Sequence, residues 1–462
     1  MGLATLDIAT PDVAAAPRRG MPVAALLLLA ALAAGVRAQG AFYVAGQLVV
    51  GVLIAAATVA AMRSSSFRGR DFGLPGVFAA MLAVWSIASD AVARHVGAAA
   101  PGVALLAAIL ATFAIVARLD ATQRGWFVDA LTVIGVVVGL SGWVGVAAHV
   151  TPLAHVDQGL WRAATTLTYT NAAAGLLMPM AFVAVARLAD FVARRERALR
   201  SAAVTVLWMS IGATFSRGGV VAVLVGLIVV AFAADRRALA RALVGPAIGA
   251  SIAIAGMLVS VPQNSHPHVV AASALLTVGI GIAVAIDSLG TWRGTAAVVG
   301  ALALAVVVAI AASPSIRHAT TTIAHPRLTA TSDDRVRESS TVLREIEQRS
   351  VFGAGGGSQT LQWSAPDGSV LFDRYAHDEY LQVAWKSGVV GLGLLLAMLG
   401  AFAARIRRGR REARSALWVG PVAGLCGLAA SSALDFLWHI PVIPLVGAVL
   451  AGLCAPTKGN SL

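Results

Sequence analysis

Apolar residues in this chain come in runs. Stretches of Ala, Leu, Val, Ile and Gly about 16 to 23 residues long alternate with short polar breaks, and one helix needs that length to cross a hydrocarbon core. The pattern predicts about fourteen transmembrane helices, near 21–36, 41–62, 72–93, 97–117, 127–149, 171–191, 199–215, 218–234, 243–260, 267–287, 294–312, 385–404, 415–433 and 437–454. The long polar stretch left over, 313–384, reads as one large loop with a short helix of its own. Ser332 or Asp333 can cap that helix, and Val336, Leu343 and Ile346 give it a sparse apolar face. "GAGGG" at 353–357 then reads as a flexible turn that returns the chain to the membrane.

Composition agrees with the pattern: 58% of residues are hydrophobic and 12% charged, a balance that excludes an ordinary soluble domain. The expected fold is an all-α polytopic integral membrane protein. Its parts are an N-terminal tail (1–20), helices 1–11 (21–312), the large loop (313–384), helices 12–14 (385–454) and a C-terminal tail (455–462).

Charge gives this arrangement a direction. The net charge of +13 comes from loops that alternate along the chain. One set holds Arg63, Arg118, Arg124, the Arg194–Arg200 group, Arg236, Arg237, Arg241 and the Arg405–Arg414 block. The opposite short loops hold Arg37, Arg94, Arg162 and Arg217. Short cytoplasmic loops carry the Lys/Arg excess, so both tails are expected in the cytoplasm and loop 313–384 outside. The basic residues then face membrane lipids, and nucleic acid is not an expected partner. Arg18 and Arg19 precede the first apolar run as in a signal peptide, but no small-residue cleavage site follows, so the run reads as a retained anchor. Cys426 and Cys454 fall within predicted helices and read as buried free thiols.

Three stretches on the expected outer side depart from plain helix packing. In "GLWRAATTLTYTNAAAGLL" (159–177), Arg162 lies in a polar, Thr-rich connection; Thr170 or Asn171 either caps the next helix or serves a site. In "SIGATFSRGGVVAVLVG" (210–226), Ser216 to Gly219 interrupt one apolar run, which places Arg217 at or slightly below the outer interface. It either snorkels to lipid phosphate or meets a ligand, with Gly218 and Gly219 allowing close backbone approach. In "RYAHDEYLQVAWKSGVVGLGLLL" (374–396), His377, Asp378 and Glu379 stand directly before a helix. Three consecutive residues cannot converge on one ion, and no other histidine spacing completes a set, so no metal site and no cofactor are expected.

These pieces in this order, with "DRVRESSTVLREIEQRSVFGAGGG" between the last two, resemble the bacterial O-antigen ligase and polymerase superfamily over residues 159–404. One departure is visible: that family commonly has His-Asn where this chain has His377-Asp378. The resemblance implies a GT-C-like membrane glycosyltransferase of the bacterial cytoplasmic membrane with an extracytoplasmic active site. The donor would be a polyprenyl-diphosphate-linked glycan, and the acceptor a hydroxyl on a lipid- or glycan-linked partner. The reaction is expected to need no metal. By the same resemblance, Arg162 and Arg217 match diphosphate-binding arginines and His377 matches the family's loop histidine, a general base. Arg335, Arg337, Asn171 and Glu379 are further candidates for diphosphate or glycan contact, and Glu379 can alternatively orient His377 or favour the helix start. A polymerase extending polyprenyl-linked repeats shares these features, while a polysaccharide or lipid transporter would instead concentrate polar residues near the midplane.

Overall fold

The structure, a computed structural model, describes residues 21–64, 72–190, 193–233, 236–289, 333–357, 360–364, 368–410 and 416–456. Fourteen α-helices lie among them. They are α1 Val23–Arg37, α2 Val44–Ser64, α3 Gly73–Val92, α4 Ala100–Ala117, α5 Ala121–Ala148, α6 Thr170–Ala189, α7 Arg194–Ala213 and α8 Arg217–Ala231. After these come α9 Arg236–Met257, α10 Val269–Leu289, α11 Asp333–Gln348, α12 Glu379–Gly409, α13 Ala416–Ser432 and α14 Val442–Leu453.

Eight helices are long and apolar enough to cross a membrane: α2 to α6, α9, α10 and α12. α1, α8, α13 and α14 are apolar but shorter, and α7 begins with a basic turn. Every span expected within the described residues coincides with a helix. The span expected at 294–312 lies outside them, as does the loop from 313 to 332.

The centre is α6, buried along nearly its whole length between α5, α7, α8 and α13. Its Ala- and Gly-rich sequence permits that. Lipid supplies no hydrophobic drive between helices, so association depends on close packing of small residues. Gly420 and Gly424 of α13 lie against the α6 backbone at Phe182 and Pro179, where an added Cβ would sit 2.6 and 3.0 Å away.

The ends of the bundle differ. At one end, the Asp129 carboxylate accepts from Arg187 Nε at 3.1 Å and from Arg200 Nη2 at 3.4 Å, while Arg124 donates to the carbonyls of Leu453 and Ala455. The other end carries two small hairpins, β1 (Ala154–Asp157) with β2 (Leu160–Ala163) and β3 (Leu361–Ser364) with β4 (Val370–Asp373), together with the loop helix α11.

Two expectations about the loop change. Val336 and Leu343 of α11 are exposed, and the buried face is Glu338, Thr341 and Val342 with Ile346 partly buried, packed on Ala354, Leu361 and Trp385. The helix therefore buries a stripe at four-residue spacing that includes a carboxylate. "GAGGG" is a docked segment instead of a flexible turn. Ala354 and Gly355 donate N–H groups to the carbonyls of Trp385 and Lys386 in α12, and Gly356 donates to Asp90 at the end of α3.

Candidate functional site

Arg162 reaches its position because a hairpin carries it. The link Gln158–Gly159 between β1 and β2 has φ of 51° and 75°, both positive, as a tight two-residue hairpin turn requires. The hairpin is tied to the chain after α9, where Trp161 N–H donates to Val261 O at 2.7 Å. Cross-strand partners share a face, so the His155–Arg162 pair puts Arg162 beside His155 and, two residues on, Asp157.

The Arg162 side chain is buried. Its Nε donates to Thr214 O at the end of α7 (2.9 Å), Nη1 to the Asp157 carboxylate, and Nη2 to Asn171 Oδ1 (3.3 Å). Burial lowers its pKa from the ordinary arginine value, Asp157 opposes that, and the charge of nearby Arg217 adds to the lowering.

Asn171 does not cap α6. Tyr169 occupies the cap position, and the Asn171 amide ties α6 to β2, to the start of α8 and to the link between α13 and α14. Its Oδ1 also accepts from Ser216 Oγ at 2.9 Å, and its Nδ2 donates to Asp435, in the link between α13 and α14. Ser216 in turn caps α8 by accepting from Gly219 N–H at 3.1 Å, which fixes Arg217 as the first residue of that helix.

Asp435 is the hub. It is 3% exposed and accepts from Tyr169 Oη at 2.7 Å as well as from Asn171, while Arg335 Nη2 stands 3.8 Å away. Arg335 also donates to Leu434 O at 2.8 Å. Burial and the Asp435 charge push the Tyr169 hydroxyl well above the usual tyrosine value, so it stays protonated and donates. The neighbouring Phe436 ring stacks between Tyr169 and Tyr375, at 5.1 and 5.4 Å.

His377 meets this cluster from the loop side, its ring edge-on to Phe436 at 5.3 Å. Both its backbone N–H and its Nδ1 donate at 2.8 Å to one carboxylate, Glu338 of α11, which is 3% exposed. With Nδ1–H committed to a carboxylate, Nε2 is left as the acceptor nitrogen. Burial disfavours the imidazolium. The Glu338 hydrogen bond and charge, aided by Asp435, outweigh that and hold the His377 pKa above its ordinary value.

The residues beside His377 do other work. Asp378 caps α12 by accepting from Tyr380 and Leu381 N–H groups at 2.8 and 3.0 Å, a role Asp and Asn perform alike. Glu379 does not orient His377. It is 1% exposed and turned to the Trp438 N–H and to His439 Nδ1 at 3.3 Å, at the positive end of α12. Arg337 is exposed and reaches Ser364 O at 3.4 Å, apart from the cluster.

Arg162, Asn171, Arg217, Arg335 and His377 therefore come together at one end of the bundle, while Arg337 and Glu379 do not join them. Asp157, Tyr169, Glu338 and Asp435 complete the constellation without having been singled out from sequence. A signal existed for Asp435, an ionisable residue in "SSALDFLWH" at the end of one apolar run and directly before the next, since ionisable residues in or beside membrane segments are functional candidates. Among the described residues no three His, Cys, Asp or Glu side chains form a group able to hold a metal ion. The arrangement offers fixed guanidinium groups for an anion and, beside them, an imidazole oriented to take a proton. No family model matches the chain, and no curated protein matches it.

Proposed function

We propose that this protein is a membrane glycosyltransferase acting on the outer side of the bacterial cytoplasmic membrane. It transfers a glycan from a polyprenyl-diphosphate-linked donor to a hydroxyl of a lipid- or glycan-linked acceptor. The observation that carries the reading is the Glu338–His377 pair beside the Arg335–Asp435–Asn171–Arg162 chain, all where apolar helices end.

His377 Nε2 takes the acceptor hydroxyl's proton as its oxygen attacks the anomeric carbon. The bond from that carbon to the diphosphate oxygen breaks, and the electron pair leaves with the lipid diphosphate. Arg162, Arg217 and Arg335 stabilise the charge that develops there, preorganised so that little reorganisation is needed at the moment of reaction. Glu338 holds the imidazolium until the proton is released. A ligase and a polymerase share this step and differ in the acceptor that presents the hydroxyl.

The test is transfer by purified protein in nanodiscs carrying a polyprenyl-diphosphate glycan and a hydroxyl acceptor. Transfer is expected, and it is expected to persist in excess chelator because arginines supply the charge stabilisation. Loss on chelation that one divalent ion restores would remove the arginine-only mechanism.

The basic end of the bundle, with Arg124, Arg187 and Arg200, is assigned to the cytoplasm by the excess of Lys and Arg in its loops. In a chain lacking Cys426 and Cys454, single cysteines at the exposed positions Ser369 and Ser64 are expected to label oppositely in intact cells. An impermeant thiol reagent should reach Ser369→Cys and miss Ser64→Cys; the reverse pattern overturns the external site.

A further inference from the structure

A diphosphate that contacts Arg162 must contend with a carboxylate already there. The Nε and Nη2 groups of Arg162 go to uncharged acceptors, the Thr214 carbonyl and the Asn171 amide. Nη1 goes to Asp157. The two partners differ in freedom: the Arg162 side chain is 6% exposed and the Asp157 side chain 40%. Arg162 is anchored by a paired strand and two other helices, whereas Asp157 ends β1 beside the Gln158–Gly159 turn with water within reach.

Two anions on one guanidinium edge repel each other, so the Asp157 carboxylate, partly exposed at the end of its strand, yields to the more highly charged ligand. We infer that Asp157 is a built-in competitor that sets which anions Arg162 accepts, admitting a lipid diphosphate and rejecting singly charged phospholipid headgroups. This rests on the diphosphate reading above. A membrane-embedded site of this kind is surrounded by anionic headgroups at concentrations far above that of any glycan carrier. A headgroup with one charge gains little by replacing a carboxylate of equal charge. A diphosphate brings more charge and more acceptor oxygens, matches the planar guanidinium better, and displaces Asp157 to solvent. Discrimination thus comes from a repulsive element placed against the wrong ligand.

Asp157→Asn isolates the effect, because the amide oxygen still accepts from Nη1 while the charge is gone. In nanodiscs of zwitterionic lipid, polyprenyl diphosphate is expected to bind this variant about tenfold more tightly than the parent. Added polyprenyl diphosphate should raise its melting temperature more than the parent's. Replacing part of the zwitterionic lipid with phosphatidylglycerol should weaken diphosphate binding to Asp157→Asn more than to the parent. Glu347→Gln, which removes an equal charge from an exposed position of α11, should match the parent throughout. Equal or weaker diphosphate binding by Asp157→Asn overturns the competitor role, as does an equal phosphatidylglycerol effect on both proteins. A parent that fails to bind polyprenyl diphosphate at all overturns instead the function on which the inference rests.

Discussion

His377→Ala is expected to leave polyprenyl-diphosphate binding nearly intact and to lower glycan transfer by about two orders of magnitude or more. The split follows from geometry: the imidazole is held by Glu338 on the loop side, and the guanidinium groups of Arg162 and Arg335 are held by other partners. Single-turnover transfer and donor binding, measured on the same nanodisc samples, separate the two effects. Near-parental transfer would end the base role.

Glu338→Gln refines this. A base is competent above its own pKa, and His377 is held above the ordinary histidine value, so kcat/KM should rise with pH through a midpoint above 6.5 and then level. Replacing Glu338 removes the largest influence that favours the imidazolium and leaves burial, which opposes it. The rising limb should therefore move to lower pH. Asp435 still acts on the ring, so the limb does not move by the whole effect of burial. Meanwhile the plateau should fall about tenfold or more, as the imidazolium loses a charge-assisted hydrogen bond worth about 1.5–3 kcal/mol. A purely structural Glu338 would lower the yield of folded protein without moving the limb.

How far the sequence discloses all this depends on the length scale of each feature. The spans are legible because an apolar run such as Val44–Ser64 is long, and nothing but a membrane or a large core accepts it. Arg217 and His377 are legible as candidates because the first interrupts such a run and the second stands directly before one, whereas Arg162 lies in a polar connection and Arg335 on the loop helix. The β1–β2 hairpin is not, since each of its strands has four residues and its turn is Gln-Gly, outside the familiar Asn-Gly or Asp-Gly pairs. Glu338 is hidden for a related reason: it lies on the buried stripe with Val342 and partly buried Ile346, where a reading by apolar residues alone selects Val336, Leu343 and Ile346. Asp435 meets Tyr169 and Asn171 across more than 260 positions of chain. Within its own neighbourhood it is an acid at a span end, and only the packing of α6 against α13 makes it a hub.

The docking of the glycine run is equally hidden in sequence, because it depends on a break in α12. Gly388, inside α12, has φ 67° and ψ −178°, a conformation essentially confined to glycine, and the helix breaks there. The break frees backbone groups that the loop and α3 then satisfy. Val389 N–H donates to Ser350 O at 2.8 Å, while the carbonyls of Trp385 and Lys386 accept from Ala354 and Gly355, and Ser387 O accepts from Trp85 Nε1 at 2.8 Å. This knot lies between α11, which carries Glu338, and α12, which His377 precedes, so it sets the distance between the two. A Cβ at Gly388 would stand 1.9 Å from Val351 O, a backbone atom that cannot swing aside. Gly388→Ala is therefore expected to cost about 3 kcal/mol or more, from backbone strain together with overpacking. Gly393 lies five residues further along the same helix, and an added Cβ there meets nothing within 4 Å. Gly393→Ala should be neutral or slightly stabilising, because alanine favours a helix over glycine by about 1 kcal/mol. Thermal unfolding of the two variants beside the parent is the measurement. A Gly388→Ala protein that melts with the parent would mean that α12 runs straight and that the loop is held by other contacts.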